Sequence, residues 1–110
     1  MERPVRGDVV VVPFPFSDLS QSKRRPALVV AGPRGDDLIL CQITSQSVRD
    51  GYAIPLTSRD FVEGGLHKDS NVRPNRIFTA DFRIVLHSAG RLASSSMQAV
   101  TDAIVDILRR

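Results

Sequence analysis

The chain has 110 residues, of which 42% are hydrophobic and 25% charged, and its formal net charge at pH 7 is +3. This length suits a single domain over residues 1–110, and the composition excludes a disordered chain, which would combine low hydrophobicity with high charge. A net charge this small is compatible with a polyanionic partner but does not by itself indicate one.

Predicted β-strands fill the first half of the chain. A valine-rich run predicts a strand over residues 7–14, which ends where prolines alternate with phenylalanines. Residues 26–31 and 38–44 predict two more strands, and the turn-forming residues between them predict a hairpin. Residues 52–56 predict a short fourth strand at a sheet edge, because Pro55 cannot donate a ladder hydrogen bond.

The segment that follows mixes a loop with further strands. Residues 57–68 predict a long loop, with a change of chain direction at its pair of glycines. Two short strands, 70–73 and 76–81, are predicted on either side of a Pro-Asn dipeptide. Residues 82–86 are predicted to continue the sheet.

The last segment has the spacing of an amphipathic helix. The serines at 94–96 offer N-cap hydroxyls. An apolar face, expected to pack on the sheet, is formed by Met97, Val100, Ile104, Ile107 and Leu108. Many short strands followed by one helix predict a mainly β fold, with a strongly curved sheet that forms a small barrel.

The only cysteine, Cys41, lies in an apolar run, which predicts a buried small hydrophobic residue rather than a nucleophile. A single cysteine excludes an intrachain disulfide and a cysteine zinc cluster, and no His, Asp and Glu residues have metal-ligand spacing. No metal or other cofactor is therefore expected. No apolar run is long enough for a signal peptide or a membrane span, so a cytoplasmic location without membrane contact is expected.

Basic residues are concentrated in two stretches of the chain. The first is the consecutive set Lys23, Arg24 and Arg25, and the second contains His67, Lys68, Arg73 and Arg76. On charge alone, these stretches are as compatible with two solvated loops as with an anion-binding surface.

Several short motifs occur along the chain in a characteristic order. They are Gly7-Asp-Val-Val-Val-Val-Pro13, Arg25-Pro-Ala-Leu-Val-Val30, Gln42-Ile-Thr-Ser45, Gly65-Leu66, Ser70-Asn-Val-Arg73, and Gly90-Arg-Leu92 before the amphipathic helix. No single motif is specific. The ordered set, from about residue 5 to residue 108, resembles the MazF/PemK family of type II toxin–antitoxin endoribonuclease toxins.

The resemblance implies an SH3-like barrel that forms a homodimer and cleaves single-stranded RNA selectively by sequence. It also implies a metal-free reaction, in which the 2′-hydroxyl attacks the neighbouring phosphate and leaves a 2′,3′-cyclic phosphate and a 5′-hydroxyl. A small cognate antitoxin is the implied protein partner, and DNA would be contacted only indirectly, through that antitoxin.

Two residues match the positions at which the family carries out this chemistry. Arg25 matches the family's arginine at a strand entry, and Pro26 favours an extended backbone there. A guanidinium can stabilise the pentacoordinate phosphorane through paired charged hydrogen bonds. Thr44 matches a hydroxyl position at the end of the third predicted strand, where it can donate to a phosphate oxygen. Arg25 and Thr44 are therefore the candidate catalytic residues, and the neighbouring Ser45 is a candidate RNA-binding residue.

Arg73 matches an arginine that some family members place beside the scissile phosphate. Those members carry an acidic residue two positions later, which can act as a base, whereas this chain has Asn75. An amide cannot accept a proton in that way, so Arg73 is interpreted as an RNA-binding residue. Members with a histidine in the first loop are not matched either.

The other candidate RNA-binding residues follow from residue type and predicted position. Loop cations can bind backbone phosphates, and aromatic rings in predicted loops can stack on unpaired bases. These candidates are Lys23, Arg24, Arg76, His67, Phe16 and Phe61. Phe14 and Phe78 are expected to pack in the core instead, and His87 is expected to be structural.

Two other functions are compatible with parts of the sequence. A non-catalytic member of the same barrel family would bind RNA or an antitoxin without cutting, and Asn75 favours this alternative. The other is an SH3-like ribosome or peptide adaptor. The peptide-binding form would need an aromatic groove, which a chain with no Trp and one Tyr supplies poorly.

Overall fold

Seven β-strands and one α-helix are found in a computed structural model that describes residues 3–14 and 23–110. In chain order they are β1 (Asp8–Phe14), β2 (Lys23–Ala31), β3 (Asp37–Thr44), β4 (Ile54–Leu56), β5 (Phe61–Gly64), β6 (Ser70–Asp81), β7 (His87–Leu92) and α1 (Ser94–Leu108). The candidate RNA-binding residue Phe16 lies outside the described residues.

The strands form one antiparallel sheet in the order β4-β6-β3-β2-β1-β7-β5. The sheet curls into a half-barrel followed by the C-terminal helix, which confirms the predicted mainly β fold with a strongly curved sheet. The predicted hairpin is present as β2 and β3, and the proline-containing strand β4 lies at a sheet edge, as predicted.

The core has two parts because successive side chains in a strand point to opposite faces of the sheet. On one face, α1 packs against a cluster that includes Val9, Leu28 and Cys41. The other face buries Val12, Ala27 and Leu40 with their neighbours. Cys41 is fully buried, and its burial raises the pKa of the thiol to about 12, which agrees with the predicted hydrophobic role.

A large bulge interrupts the pairing of β3 with β6. Cys41 pairs with Ile77, whereas the next residue, Gln42, pairs with Arg73, so residues 74–76 have no partner in β3. Proline lacks an amide hydrogen and therefore favours such a position. The two strands predicted around Pro74 are thus one strand whose pairing with β3 breaks at the predicted place.

Two predictions for the second half are wrong. Residues 57–68 are not one loop, because they contain a 3-10 turn at Ser58–Asp60 and strand β5, which pairs with β7. Residues 82–86 do not continue the sheet, because Asp81 caps a 3-10 turn at Phe82–Ile84 by accepting a hydrogen bond from the Arg83 amide at 2.8 Å. Local side chains cap both turns, Thr57 with Asp60 in the first and Asp81 in the second, and such local hydrogen bonds compete with sheet pairing.

The helix begins as predicted at Ser94, but its N-cap is Ala93 and no side chain caps it. The Ser96 hydroxyl instead donates to the Asp60 carboxylate at 2.8 Å. Met97 and Val100 are buried as expected, whereas Leu108 is 72% exposed beyond the packed part of the helix. Among the described residues, no helix is both long and apolar enough to span a membrane.

Candidate functional site

Three adjoining cavities form a groove beside the start of β2, the end of β3 and the first half of β6. The central cavity has a volume of about 280 Å³, and its neighbours have volumes of about 220 and 210 Å³. Thr44 lines all three cavities, and Arg25 and Arg73 each line two. We call this continuous surface the groove.

The alternation of strand residues explains how these side chains reach the groove. Arg25 lies two residues before the buried Ala27, and Gln42 lies two residues after the buried Leu40, so each shares a sheet face with its buried neighbour. Thr44 is a further two residues along β3. The central cavity is therefore the polar continuation of one core face.

Arg25 stands near the start of β2, where it pairs with Val12 of β1. Its side chain is exposed, and no hydrogen bond or ion pair engages its guanidinium within residues 3–14 and 23–110. Nothing in the described ranges therefore competes with an anion in the groove for its N–H donors. The strand pairing, together with the fixed φ of Pro26, holds the backbone at this point.

Thr44 is the last residue of β3. Its Oγ1 accepts a hydrogen bond from the Gln46 amide at 3.1 Å. This bond uses a lone pair of the hydroxyl and leaves its proton free to be donated. Ser45, the next residue, is exposed and lines the cavity on the side of His67.

Arg73 forms the opposite wall of the groove and is held by an acidic residue from the loop between β3 and β4. Its Nη2 atom lies 2.9 Å from Oδ2 of Asp50. The same oxygen accepts a hydrogen bond from Nδ2 of Asn75 at 3.1 Å, and Oδ1 accepts one from the Tyr52 amide at 3.0 Å. The hydrogen bond from Arg73 is the main reason why the pKa of Asp50 falls to about 2.

The two basic stretches of the sequence meet across the groove. Arg24 and Arg25 from β2 line the same cavity as His67 and Lys68 from the loop before β6. The Ser70 hydroxyl donates to the Lys68 carbonyl at 2.9 Å, which fixes the end of that loop. Convergence of cations from distant parts of the chain favours an anion-binding surface over two unrelated solvated loops.

Other candidate residues are placed away from the groove. Lys23 and Arg76 are exposed but line none of its three cavities. Phe61 lies in β5 rather than in a loop, and it is partly buried against the core cluster below α1. Phe14 and Phe78 pack edge to face with ring centroids 5.2 Å apart, as expected of core residues, although Phe14 also lines the central cavity.

Gln42, Gln46 and Asp50 are groove residues that the sequence analysis did not identify. Gln42 precedes Thr44 by two residues, so strand alternation could have placed the two side chains on one face. Asp50 had no comparable signal, because its contact with Arg73 depends on the path of the loop between β3 and β4.

The described part of the chain has no group of three or more His, Cys, Asp or Glu residues that could hold a metal ion. The groove instead presents guanidinium, ammonium, hydroxyl and amide groups. Such groups donate hydrogen bonds and fit a ligand that carries negative charge.

Several solved structures have a similar fold. MazF (Form-I) from Deinococcus radiodurans has a TM-score of 0.78 and 19% identity over 100% of both chains. A chain of MazE-MazF (Form-III) from the same organism has a TM-score of 0.77 and 18% identity over 97% of both chains. An endoribonuclease from Mycobacterial species has a TM-score of 0.73 and 18% identity over 98% of this chain and 93% of the other.

The family model of PemK-like, MazF-like toxins of type II toxin–antitoxin systems matches residues 5–108, and the chain therefore belongs to this family. This confirms the resemblance drawn from the ordered motifs. A comparison with curated protein sequences finds no match.

Proposed function

We propose that this toxin is a sequence-selective endoribonuclease that cleaves single-stranded RNA, mRNA in particular, without a metal ion. The observation that carries the proposal is the central cavity, where the guanidinium groups of Arg25 and Arg73 and the hydroxyl of Thr44 line one space. Three cationic or hydroxyl donors around a cavity of about 280 Å³ suit a phosphate group and the atoms attached to it.

The proposed reaction uses the RNA as its own nucleophile. The 2′-oxygen loses its proton and forms a bond to phosphorus, the bond from phosphorus to the 5′-oxygen breaks, and that oxygen takes up a proton. The phosphate passes through a phosphorane with additional negative charge. Arg25 and Thr44 donate hydrogen bonds to its oxygens, and preorganised donors of this kind lower the barrier.

Sequence selectivity is proposed to come from the same cavity. Gln42 and Gln46 present side-chain amides, each of which can donate and accept hydrogen bonds with a base edge. Phe14 and Pro26 supply apolar surface beside them. Arg24, His67, Lys68 and Ser45 extend the binding surface along the RNA backbone.

The protein should cleave a long RNA in excess EDTA and leave 5′-hydroxyl ends and 2′,3′-cyclic phosphates, because the proposed chemistry uses protein donors alone. The test is incubation with and without chelator, followed by mapping of the fragment ends. A strict requirement for Mg²⁺ with 5′-phosphate products would contradict the mechanism. Intact RNA under all conditions would favour a member that binds without cutting.

A homodimer is the proposed assembly, since the family resemblance implies it and one chain of 12.1 kDa offers a short path for RNA. Sedimentation at micromolar concentration should therefore give about twice the chain mass. A monomer that cleaves RNA at the full rate would contradict this assembly.

A small cognate antitoxin is the proposed protein partner. One solved mycobacterial endoribonuclease with this fold is in complex with its cognate antitoxin. An acidic, flexible antitoxin segment would complement the cations of the groove and compete with RNA. We place the protein in the cytoplasm, with DNA contacted only through the antitoxin.

A further inference from the structure

The contact between Asp50 and Arg73 joins two groove segments that are far apart in sequence. Asp50 belongs to the loop between β3 and β4, and Arg73 belongs to β6. Their 2.9 Å ion pair is partly buried, since the side chain of Asp50 is 26% exposed and that of Arg73 is 20% exposed. It is also anchored, because Asn75 and the Tyr52 amide hydrogen-bond to the same carboxylate.

We propose that Asp50 is a positioning residue, which fixes the Arg73 guanidinium in the groove wall so that its accessible N–H groups face the scissile phosphate. The proposal rests on the proposed ribonuclease function. Arg73 and Asn75 both donate to the same carboxylate oxygen of Asp50, so the loop between β3 and β4 supplies the acidic partner of this arginine.

The geometry of Arg73 supports this role. The side chain lines both the central cavity and the cavity that contains Asp50, so it lies where the two adjoin. One terminal nitrogen, Nη2, bonds to Asp50. A planar guanidinium that is held at one nitrogen has its other donors in a defined plane, and less conformational entropy is lost when they bind phosphate.

Asp50 is poorly suited to be the general base. Both of its oxygens already accept hydrogen bonds, one from Tyr52 and the other from Arg73 and Asn75. These bonds favour the ionised form and lower the pKa to about 2. A carboxylate with this pKa holds a proton weakly near neutral pH, so its contribution is to hold Arg73 rather than to move a proton.

A double-mutant cycle tests the proposal with single-turnover cleavage at saturating enzyme. Asp50→Asn should slow cleavage roughly tenfold in the unchanged chain, and by less than about twofold in an Arg73→Ala background, because it acts through Arg73. Moving the carboxylate, in Asp50→Asn/Asn75→Asp, should recover most of the rate. Asp36→Asn is the matched control, since Asp36 pairs with the exposed Arg83 away from the groove.

Several outcomes would overturn the proposal. These are an unchanged rate in Asp50→Asn, an equal slowing with and without Arg73, or the loss of an acid limb from the pH–rate profile. The last would make Asp50 a base, whereas a positioning residue lowers the rate by one factor across pH 5–9. If Asp50→Asn does not fold, Asn75→Ala serves instead, and an unchanged rate there also overturns the proposal.

A second measurement is independent of RNA cleavage. The Nε–Hε NMR signal of Arg73 should report a rigid side chain in the unchanged protein and a mobile one in Asp50→Asn, with Arg83 as the internal reference. Equal mobility in both proteins would overturn the positioning role. If the unchanged protein does not cut RNA, the proposed function fails, while this measurement still decides the role of Asp50.

Discussion

Arg25→Ala is expected to fold normally, bind RNA almost as well as the unchanged chain, and cleave it at least about a hundredfold more slowly. Removal of one preorganised charged donor typically costs about 10²–10³-fold in the chemical step. Arg25 fits this description because its guanidinium has no protein partner within the described ranges and its backbone is fixed by β1 and Pro26. Single-turnover cleavage at saturating enzyme measures the effect directly, since binding differences then cancel.

Three further variants distinguish a role of Arg25 in the chemical step from a role of its charge in RNA binding. Arg25→Lys should recover only part of the rate, because an ammonium cannot make the paired contact of a guanidinium. Arg24→Ala removes a neighbouring charge and should weaken RNA binding and its salt dependence while the saturated rate is kept. Arg34→Ala, in the exposed turn between β2 and β3, should change neither. Equal saturated rates for the Arg25→Ala and Arg24→Ala variants would reduce Arg25 to a binding charge.

Among the glycine-to-alanine substitutions, Gly64→Ala is expected to destabilise the fold most, with the free energy of unfolding lowered by about 2–5 kcal/mol. Gly64 has a φ of +66°, which favours glycine, and an added Cβ would overlap the carbonyl oxygen of Ala89 in β7. The overlap requires β5 to move away from β7, and the positive φ adds a local backbone strain. Because Gly64 leads into the loop that carries His67 and Lys68, one wall of the groove would move as well. Urea unfolding measures the loss.

The adjacent glycine provides the matched control. Gly65 is outside the left-handed region, and an added Cβ there meets nothing within 4 Å. Gly65→Ala should therefore change stability by no more than about 0.5 kcal/mol, as most exposed substitutions do. If the two alanine variants unfolded at the same urea concentration, the close approach of β5 to β7 would not be a constraint on the fold.

The elements with strong periodicity could be predicted from the sequence, whereas those held by tertiary contacts could not. The valine run of β1 and the apolar alternation of β3 are local signals, and both strands lie where they were predicted. Strand β5 has four residues, three of them exposed, and it exists through its pairing with β7. No pattern within those four residues encodes that partner.

The candidate site divides in the same way. Arg25 and Thr44 were identified from motifs that lie within single strands, and the structure brings both into the central cavity. The ion pair between Asp50 and Arg73 spans 23 residues and a loop whose path the sequence does not specify. Asn75 was therefore interpreted as a missing carboxylate, although its amide hydrogen-bonds to a carboxylate supplied from elsewhere.

The bulge at residues 74–76 has a consequence for how this fold diverges. In an unbroken ladder, a slip of one residue turns every following side chain to the other face. Here, residues 71–73 pair with the end of β3 that lines the groove, and residues 77–81 pair with its other end, with the unpaired residues 74–76 between them. A change in the pairing register of residues 71–73 can therefore be accommodated by the unpaired residues 74–76, without changing the register of residues 77–81. Selection can thus rewrite the residues that face the substrate while the buried scaffold is inherited unchanged.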